Sequence, residues 1–377
     1  MAEQNTIVHV AGRSVIQTLL VSLLLLGLAS CNSAGEGGDT QGAPYIAVIS
    51  KGETHEFWQQ VSAGASAAAT EVGAEVTYDG PDSGDFETNV TQQKTMLQAA
   101  LEENPTAIAL ATLDTSAVLE EIEEAQDRDI PIIGFDSGVP NAPSGAVLAT
   151  ASTDNSAAGA VAAEKMFPEL ESSIESATSG SPVRLTVLNV NTTAVSVVDR
   201  TTGFRDRMIE LITTETSKSA SNIAVEGNDV FIDGDSPTSG QEVFIRLLAV
   251  GAYGSNDTGE LATAEVGNIA SDGIVGFFCT NEGTANALLD ATNDGADLPG
   301  VGVVAIGFDA GSQQKTAVQN EYFLGSIVQD SYGMGYDAVT LAYQATQGGA
   351  VTDDLNPGVY YDHANMNDQG IANLLYD

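Results

Sequence analysis

Basic residues are scarce. Only 12 lysines and arginines stand against 52 aspartates and glutamates in a chain of 377 residues, a formal net charge of -40. Proteins that grip nucleic acid do so through clusters of cations on phosphates, and Lys51, Lys94, Lys165, Lys218 and Lys315 are too far apart in sequence to make one. Nucleic acid is excluded as a partner. Charge of one sign repels itself, and the repulsion reaches further as the screening length grows from roughly 3 Å at 1 M salt to about 30 Å at 0.01 M. The composition therefore implies a salt-rich setting.

Cysteine is almost absent. Cys31 and Cys279 are the only two, and no intrachain disulfide is expected. Cys279 closes the apolar run Ile274-Val275-Gly276-Phe277-Phe278 and reads as a small buried hydrophobe. Beyond the amino-terminal segment only His55 and His363 remain as imidazoles, and neither adjoins a Gly-x-Ser-x-Gly elbow or a second metal ligand. Neither histidine is placed as the base that hydrolase chemistry needs. No catalytic residue, metal or cofactor is expected.

The amino terminus carries a targeting pattern. Arg13 precedes an apolar run from Val15 to Leu28 that Gln17, Thr18 and Ser22 interrupt, too short for a membrane span. Leu28-Ala29-Ser30-Cys31 then matches the bacterial lipobox, in which the cysteine thiol receives a diacylglycerol. Residues 1–30 read as a signal peptide and 31–43, rich in Gly, Ser and acids, as a flexible tether. The protein is expected to be exported and held to the membrane through Cys31.

From Tyr45 onward short β-branched runs alternate with longer amphipathic ones, the pattern of parallel strands joined by crossover helices. The class is α/β, and 43% hydrophobic residues suffice for two cores. Strands are expected at Tyr45–Ser50, Ala74–Tyr78, Ala107–Ala111, Ile130–Phe135, Val147–Ala151, Val183–Val190, Ile274–Phe278, Val301–Phe308 and Phe323–Val328. Helices are expected at His55–Val72, Thr88–Glu102, Ser116–Gln126, Ser156–Phe167, Arg200–Thr213, Gly283–Ala291 and Tyr332–Thr346. In the third, Asp114-Thr115-Ser116 offers an N-cap and Val118, Leu119, Ile122 and Ala125 keep helical spacing. Glycine and Asn interrupt Glu215–Asn268 at every run, which leaves one helix near Gln241–Leu248 and an irregular insertion around Gly251–Glu260.

Seven landmarks occur in order: Ile46-Ala47-Val48-Ile49-Ser50 with Phe57-Trp58, Pro131-Ile132-Ile133-Gly134-Phe135-Asp136, Ser152-Thr153-Asp154-Asn155, Asp199-Arg200-Thr201-Thr202-Gly203-Phe204, Thr280-Asn281-Glu282, Gly307-Phe308-Asp309 and Ile327-Val328-Gln329. On these the chain from about Pro44 onward resembles the ribose-, galactose- and allose-type periplasmic binding proteins. The resemblance implies two Rossmann-like lobes with parallel sheets, joined by a three-strand hinge and closing over a ligand at the carboxyl ends of the strands. Carried over, one lobe holds 44–152 and 330–358, the other 153–329 and 359–377, with hinges near Thr153, Gln329 and Pro357. It further implies a monomer that hands a monosaccharide or related polyol to the permease subunits of an ABC transporter.

Vicinal hydroxyls both donate and accept, so a polyol site needs carboxylates, amides and a guanidinium with paired atoms. Asp136, Asp154, Asn155, Arg200, Asn281, Asp309 and Gln329 supply them, nearly all directly after an apolar strand. Phe57 and Trp58 stand where aromatic rings cover the C–H faces of a sugar, and His55 lies within reach. Plainer roles compete: core packing for Phe57 and Trp58, capping for His55, Asp154 and Asn155, turns for Asp136 and Asp309, a surface pair with Asp199 for Arg200. Glu53-Thr54-His55-Glu56 replaces the Asn-Pro that often precedes the aromatics in the family, so a different hydroxyl pattern is expected. Asp233-Gly234-Asp235 lacks the spacing of the calcium loop found in galactose-type members. The same clamp also suits a furanone signal, a nucleoside or an amino-acid derivative, read by a sensor kinase.

Overall fold

The computed structural model describes residues 42–82, 89–232 and 239–376. The signal peptide, Cys31 and Asp233-Gly234-Asp235 lie outside the described residues. The first half runs β1 (Tyr45–Ile49), α1 (Glu56–Val72), β2 (Glu75–Asp79), α2 (Val90–Glu102), β3 (Ala107–Leu110), α3 (Leu119–Asp127), β4 (Ile132–Phe135) and β5 (Val147–Thr153). Then come α4 (Asn155–Ser176), β6 (Val183–Asn189), α5 (Val195–Glu215), β7 (Ile223–Gly227), β8 (Val243–Ala249), α6 (Thr258–Val266) and α7 (Ile269–Asp272). The chain continues through β9 (Ile274–Cys279), α8 (Glu282–Ala291), α9 (Asp297–Gly300), β10 (Val304–Phe308), α10 (Ser312–Gln319) and β11 (Gly325–Val328). It ends with α11 (Ser331–Thr346), β12 (Asp354–Asn356), β13 (Val359–Tyr361) and α12 (Gln369–Ala372).

Two sheets result. The first has the order β12-β5-β4-β3-β1-β2 and the second β13-β11-β10-β9-β6-β8-β7. Every pairing is parallel except β11 with β13. Both sheets contain the doubly wound succession in which the first strand sits inside and the chain reverses beside it, so ligands belong at the carboxyl ends near that switch. The α/β class and the predominantly parallel sheets expected from the sequence are present.

Helices cover both faces of each sheet, which is why the strands read as unbroken apolar runs. In β1, Ile46 and Val48 pack with α1 while Ala47 and Ile49 pack with residues of α2 and α3. In β6, Leu185 and Val187 face α4 and α5 while Leu188 faces the opposite side. Helices α4 and α5 cross at glycines, since a Cβ at Gly159 would collide with the Arg200 carbonyl and one at Gly203 with the Ser156 carbonyl. That close crossing sets the depth of Arg200.

The structure corrects several local expectations. The helix expected at Gln241–Leu248 is strand β8, paired on both sides by β6 and β7. A central strand buried on both faces loses its polar alternation, and Val243-Phe244-Ile245-Arg246-Leu247-Leu248 then resembles a helix core. The irregular insertion contains α6, capped by Asp257, whose side chain accepts from Glu260 N. Helix α4 runs past the expected end at Phe167 and through Pro168, with Leu170 and Ile174 buried beyond it. Helix α3 begins three residues late: Asp114 Oδ1 instead accepts from the backbone of Ser116 and Ala117 in the turn before it. Cys279 is buried and unpaired, and burial pushes its thiol pKa up. Among the described residues no helix is long and apolar enough to cross a membrane, and no acidic or imidazole cluster fits a metal ion.

Candidate binding cleft

Asp136 ends β4 of the first sheet and Asp309 ends β10 of the second. Both follow a Gly-Phe pair, and both hold positive φ angles, 52° and 72°. Left-handed backbone is unfavourable for a residue with a side chain and tends to persist where function requires it. The two aspartates border one cavity, together with Lys51, His55, Phe57, Val197, Arg200, Asn281, Glu282, Gly283 and Gln329. Of the residues expected from the sequence, His55, Phe57, Asp136, Arg200, Asn281, Asp309 and Gln329 meet here.

Arg200 is buried and points inward rather than pairing with Asp199. Its Nε donates to Asn155 Oδ1 (2.8 Å), one terminal nitrogen to the Thr280 carbonyl (2.9 Å) and the other to Gln329 Oε1 (2.9 Å). The guanidinium lies 3.7 Å from the centre of the Phe308 ring. A guanidinium has five N–H donors, so one on each terminal nitrogen is left for a guest. Gln329 Nε2 donates to Asp309 Oδ1 at 2.7 Å, and Thr153 Oγ1 donates to Gln329 Oε1 at 2.9 Å. The amide thus ties Arg200, Asp309 and the end of β5 together at the points where the chain passes between the sheets. Burial raises the Asp309 pKa to about 6, against the opposing pull of Arg200 and the Gln329 hydrogen bond.

Two charged residues at the cavity, Lys51 and Glu282, were not among those expected, nor were Val197 and Gly283. Lys51 directly follows the first strand and its switch point, the same signal that marked Asp136 and Asp309, yet a lone lysine drew no notice. Its Nζ lies 2.7 Å from Asp136 Oδ2, with side chains only 2% and 3% exposed. It also donates to Ser196 Oγ (3.2 Å) on α5 and Ser137 Oγ (3.4 Å). Glu282 stands one residue past Asn281, just before the helix expected at Gly283–Ala291. Its Oε1 lies 3.4 Å from His55 Nε2 and its Oε2 accepts from the Tyr376 hydroxyl at 2.9 Å. His55 both caps α1, accepting Phe57 N at Nδ1 (3.2 Å), and faces the cavity. With Nδ1 turned to the helix start, Nε2 is the ring nitrogen that faces Glu282.

Three expected residues do not line the cavity. Trp58 is 1% exposed and stands edge-on to Phe57 (4.8 Å, 87°) and to Phe135 (6.3 Å), so it props Phe57 from behind. Asp154 caps α4 through Ala157 N (3.0 Å) and is exposed. Asn155 acts by holding Arg200. Asn281 does both jobs, capping α8 through Thr284 N (3.1 Å) while bordering the cavity. Contacts bridge the two sheet systems around the cavity: Lys51 to Ser196, Ser137 Oγ to Ser196 Oγ (2.9 Å), Thr193 Oγ1 to the Leu113 carbonyl (2.9 Å) and His55 to Glu282.

Two doubly wound layers whose strand ends converge on one polar cavity define a ligand-capturing clamp. The model of the periplasmic binding protein domain matches residues 46–350, and the chain belongs to that family. A solved structure from Brachyspira murdochii, named as an ABC transporter, LacI family transcriptional regulator, is 33% identical, with a TM-score of 0.71, covering 89% of this chain and 99% of that one. A solute-binding protein from Agrobacterium vitis with bound D-fucose is 25% identical at a TM-score of 0.70, covering 88% and 100%. A carbohydrate transporter solute-binding protein from Agrobacterium radiobacter, in complex with D-arabinose, is 25% identical at 0.69, covering 89% and 100%. A sequence comparison with curated proteins finds no match.

Proposed function

We propose that this chain captures a monosaccharide or related polyol in its cleft and delivers it to an ABC transporter by hinge closure. The observation that carries this is the pairing of charges within the cavity: Lys51 with Asp136, and Arg200 with Asp309 through Gln329. The acids and amides of Asp136, Asn281, Glu282, Asp309 and Gln329 outnumber the cations Lys51 and Arg200 around the cavity, which favours neutral hydroxyls over the carboxylate of an amino acid. The relatives that hold D-fucose and D-arabinose support the same reading. The two sheet systems would move as lobes of residues 44–152 plus 330–358 and 153–329 plus 359–377, bending near Thr153, Gln329 and Pro357. Each charge-assisted hydrogen bond to a hydroxyl is worth roughly 1.5–3 kcal/mol. Only the part made in the closed form shifts the balance toward closure.

In this reading the protein is no enzyme, works as a monomer and acts outside the cytoplasmic membrane, tethered through Cys31. A thermal-shift panel of pentoses, hexoses, inositols, nucleosides and amino acids at high salt tests it, since a ligand that binds only the folded form raises the melting temperature. Stabilisation by one or a few sugars is expected. A response to a nucleoside or amino acid and to no sugar refutes the polyol.

A further inference from the structure

We propose that the carboxyl-terminal tail is part of the ligand site, with Tyr376 as a positioning residue that aims the Glu282 carboxylate at a sugar hydroxyl. The proposal rests on the reading of this cavity as a sugar site. After β13 the chain turns at Asp362, whose Oδ1 accepts from Ala364 N (2.9 Å) and Asn365 N (3.1 Å), and α12 follows. The tail then brings Tyr376 back under the cavity, where it is 5% exposed. Lys315 Nζ holds its carbonyl at 2.6 Å, and Ala310 N donates to its hydroxyl at 3.3 Å. That hydroxyl in turn donates to Glu282 Oε2 at 2.9 Å. The Tyr376 ring meets Phe57 edge-on at 6.4 Å, so the tail also supports the aromatic wall of the cavity.

Glu282 is held as tightly on its other side. A Cβ at Gly311 would overlap Glu282 Oε1, so the glycine leaves the space that the carboxylate fills. Glu282 borders the cavity; its Oε2 is committed to Tyr376, whereas Oε1 meets the His55 imidazole at 3.4 Å, longer than a well-formed hydrogen bond. One oxygen is therefore anchored and the other keeps capacity to accept from a hydroxyl. Without the tyrosine hydroxyl the anchored oxygen would be a buried acceptor lacking its donor, and the carboxylate would have reason to rotate away.

The test uses Tyr376→Phe, Glu282→Gln and the double variant in the full mature chain, titrated with D-arabinose, D-fucose and a series of monodeoxy analogues of whichever sugar binds. Tyr376→Phe keeps the ring against Phe57 and removes only the hydroxyl. Each single variant is expected to weaken binding about tenfold, the size of one hydrogen bond to a charged group. The double variant is expected to be no weaker than the weaker single. The deoxy analogue lacking the hydroxyl that meets Glu282 is expected to bind wild type and Tyr376→Phe alike, which a merely structural tail would not produce. Additive losses, or unchanged affinity of Tyr376→Phe for a sugar that wild type binds, overturn the inference and leave the sugar reading intact. Absence of binding by wild type to every sugar overturns both.

Discussion

Asp309 offers the sharpest pH prediction. Burial lifts its pKa from 3.8 to about 6 in the free protein, which corresponds to about 3 kcal/mol against the ionised form. For a carboxyl with a raised folded pKa, the favourable contribution is complete below 3.8 and is lost as pH rises through about 6. The free protein therefore gives up stability from this group across that window. Hydroxyls that donate to Asp309 favour its charged form and bring the pKa back toward the ordinary range. Binding at pH 5 should then release about 0.8 of a proton, and affinity should fall about tenfold between pH 7 and pH 5. Arg200, Glu282, His55, Gln329, Tyr361 and Tyr376 face or border the group. Calorimetry of sugar binding in buffers of different ionisation enthalpy measures the release, and a His55→Gln variant removes the imidazole from the count. Proton uptake at pH 5, or an affinity that does not change from pH 5 to 8 in that variant, would refute the reasoning.

Replacing Lys51 by Met should cost about 3–5 kcal/mol of folding stability, because Asp136 is left buried without its cation. Adding Asp136→Asn should recover most of that loss in denaturant titrations, and equal destabilisation of single and double variants would contradict it. Arg200→Ala removes three protein hydrogen bonds as well as two ligand donors. Sugar affinity is expected to drop at least about a hundredfold and the melting temperature to fall with it; retained affinity by calorimetry would remove Arg200 from the site. With a net charge of -40, the melting temperature should rise steadily from 0.01 M to 1 M NaCl. A flat or falling curve would speak against salt adaptation.

The parallel strands were legible because buried β-branched runs such as Ile132-Ile133 have few alternative readings and Asp136 marks where the strand must turn. Strand β8 was not, since two flanking strands permit an uninterrupted apolar stretch that carries no period of its own. At the site, types that follow strands were found by position, Asp136, Asp309 and Gln329 among them. The order of shells was not available to sequence: Trp58 and Asn155 hold up Phe57 and Arg200, and only the packing of α1 and the α4–α5 crossing reveals it. Lys51 stood at a strand end and could have been found by the same rule. Tyr376 could not, because nothing local in the tail indicates that it returns to a cavity more than ninety residues away in sequence from Glu282.

A crystal structure of the mature chain soaked with the most stabilising sugar would examine the clamp most directly. The ring should lie against Phe57, with hydroxyls within about 3.2 Å of Asp136, Arg200, Asn281 and Asp309. A sugar seated elsewhere on the molecule, or those four side chains turned away from it, would contradict the account.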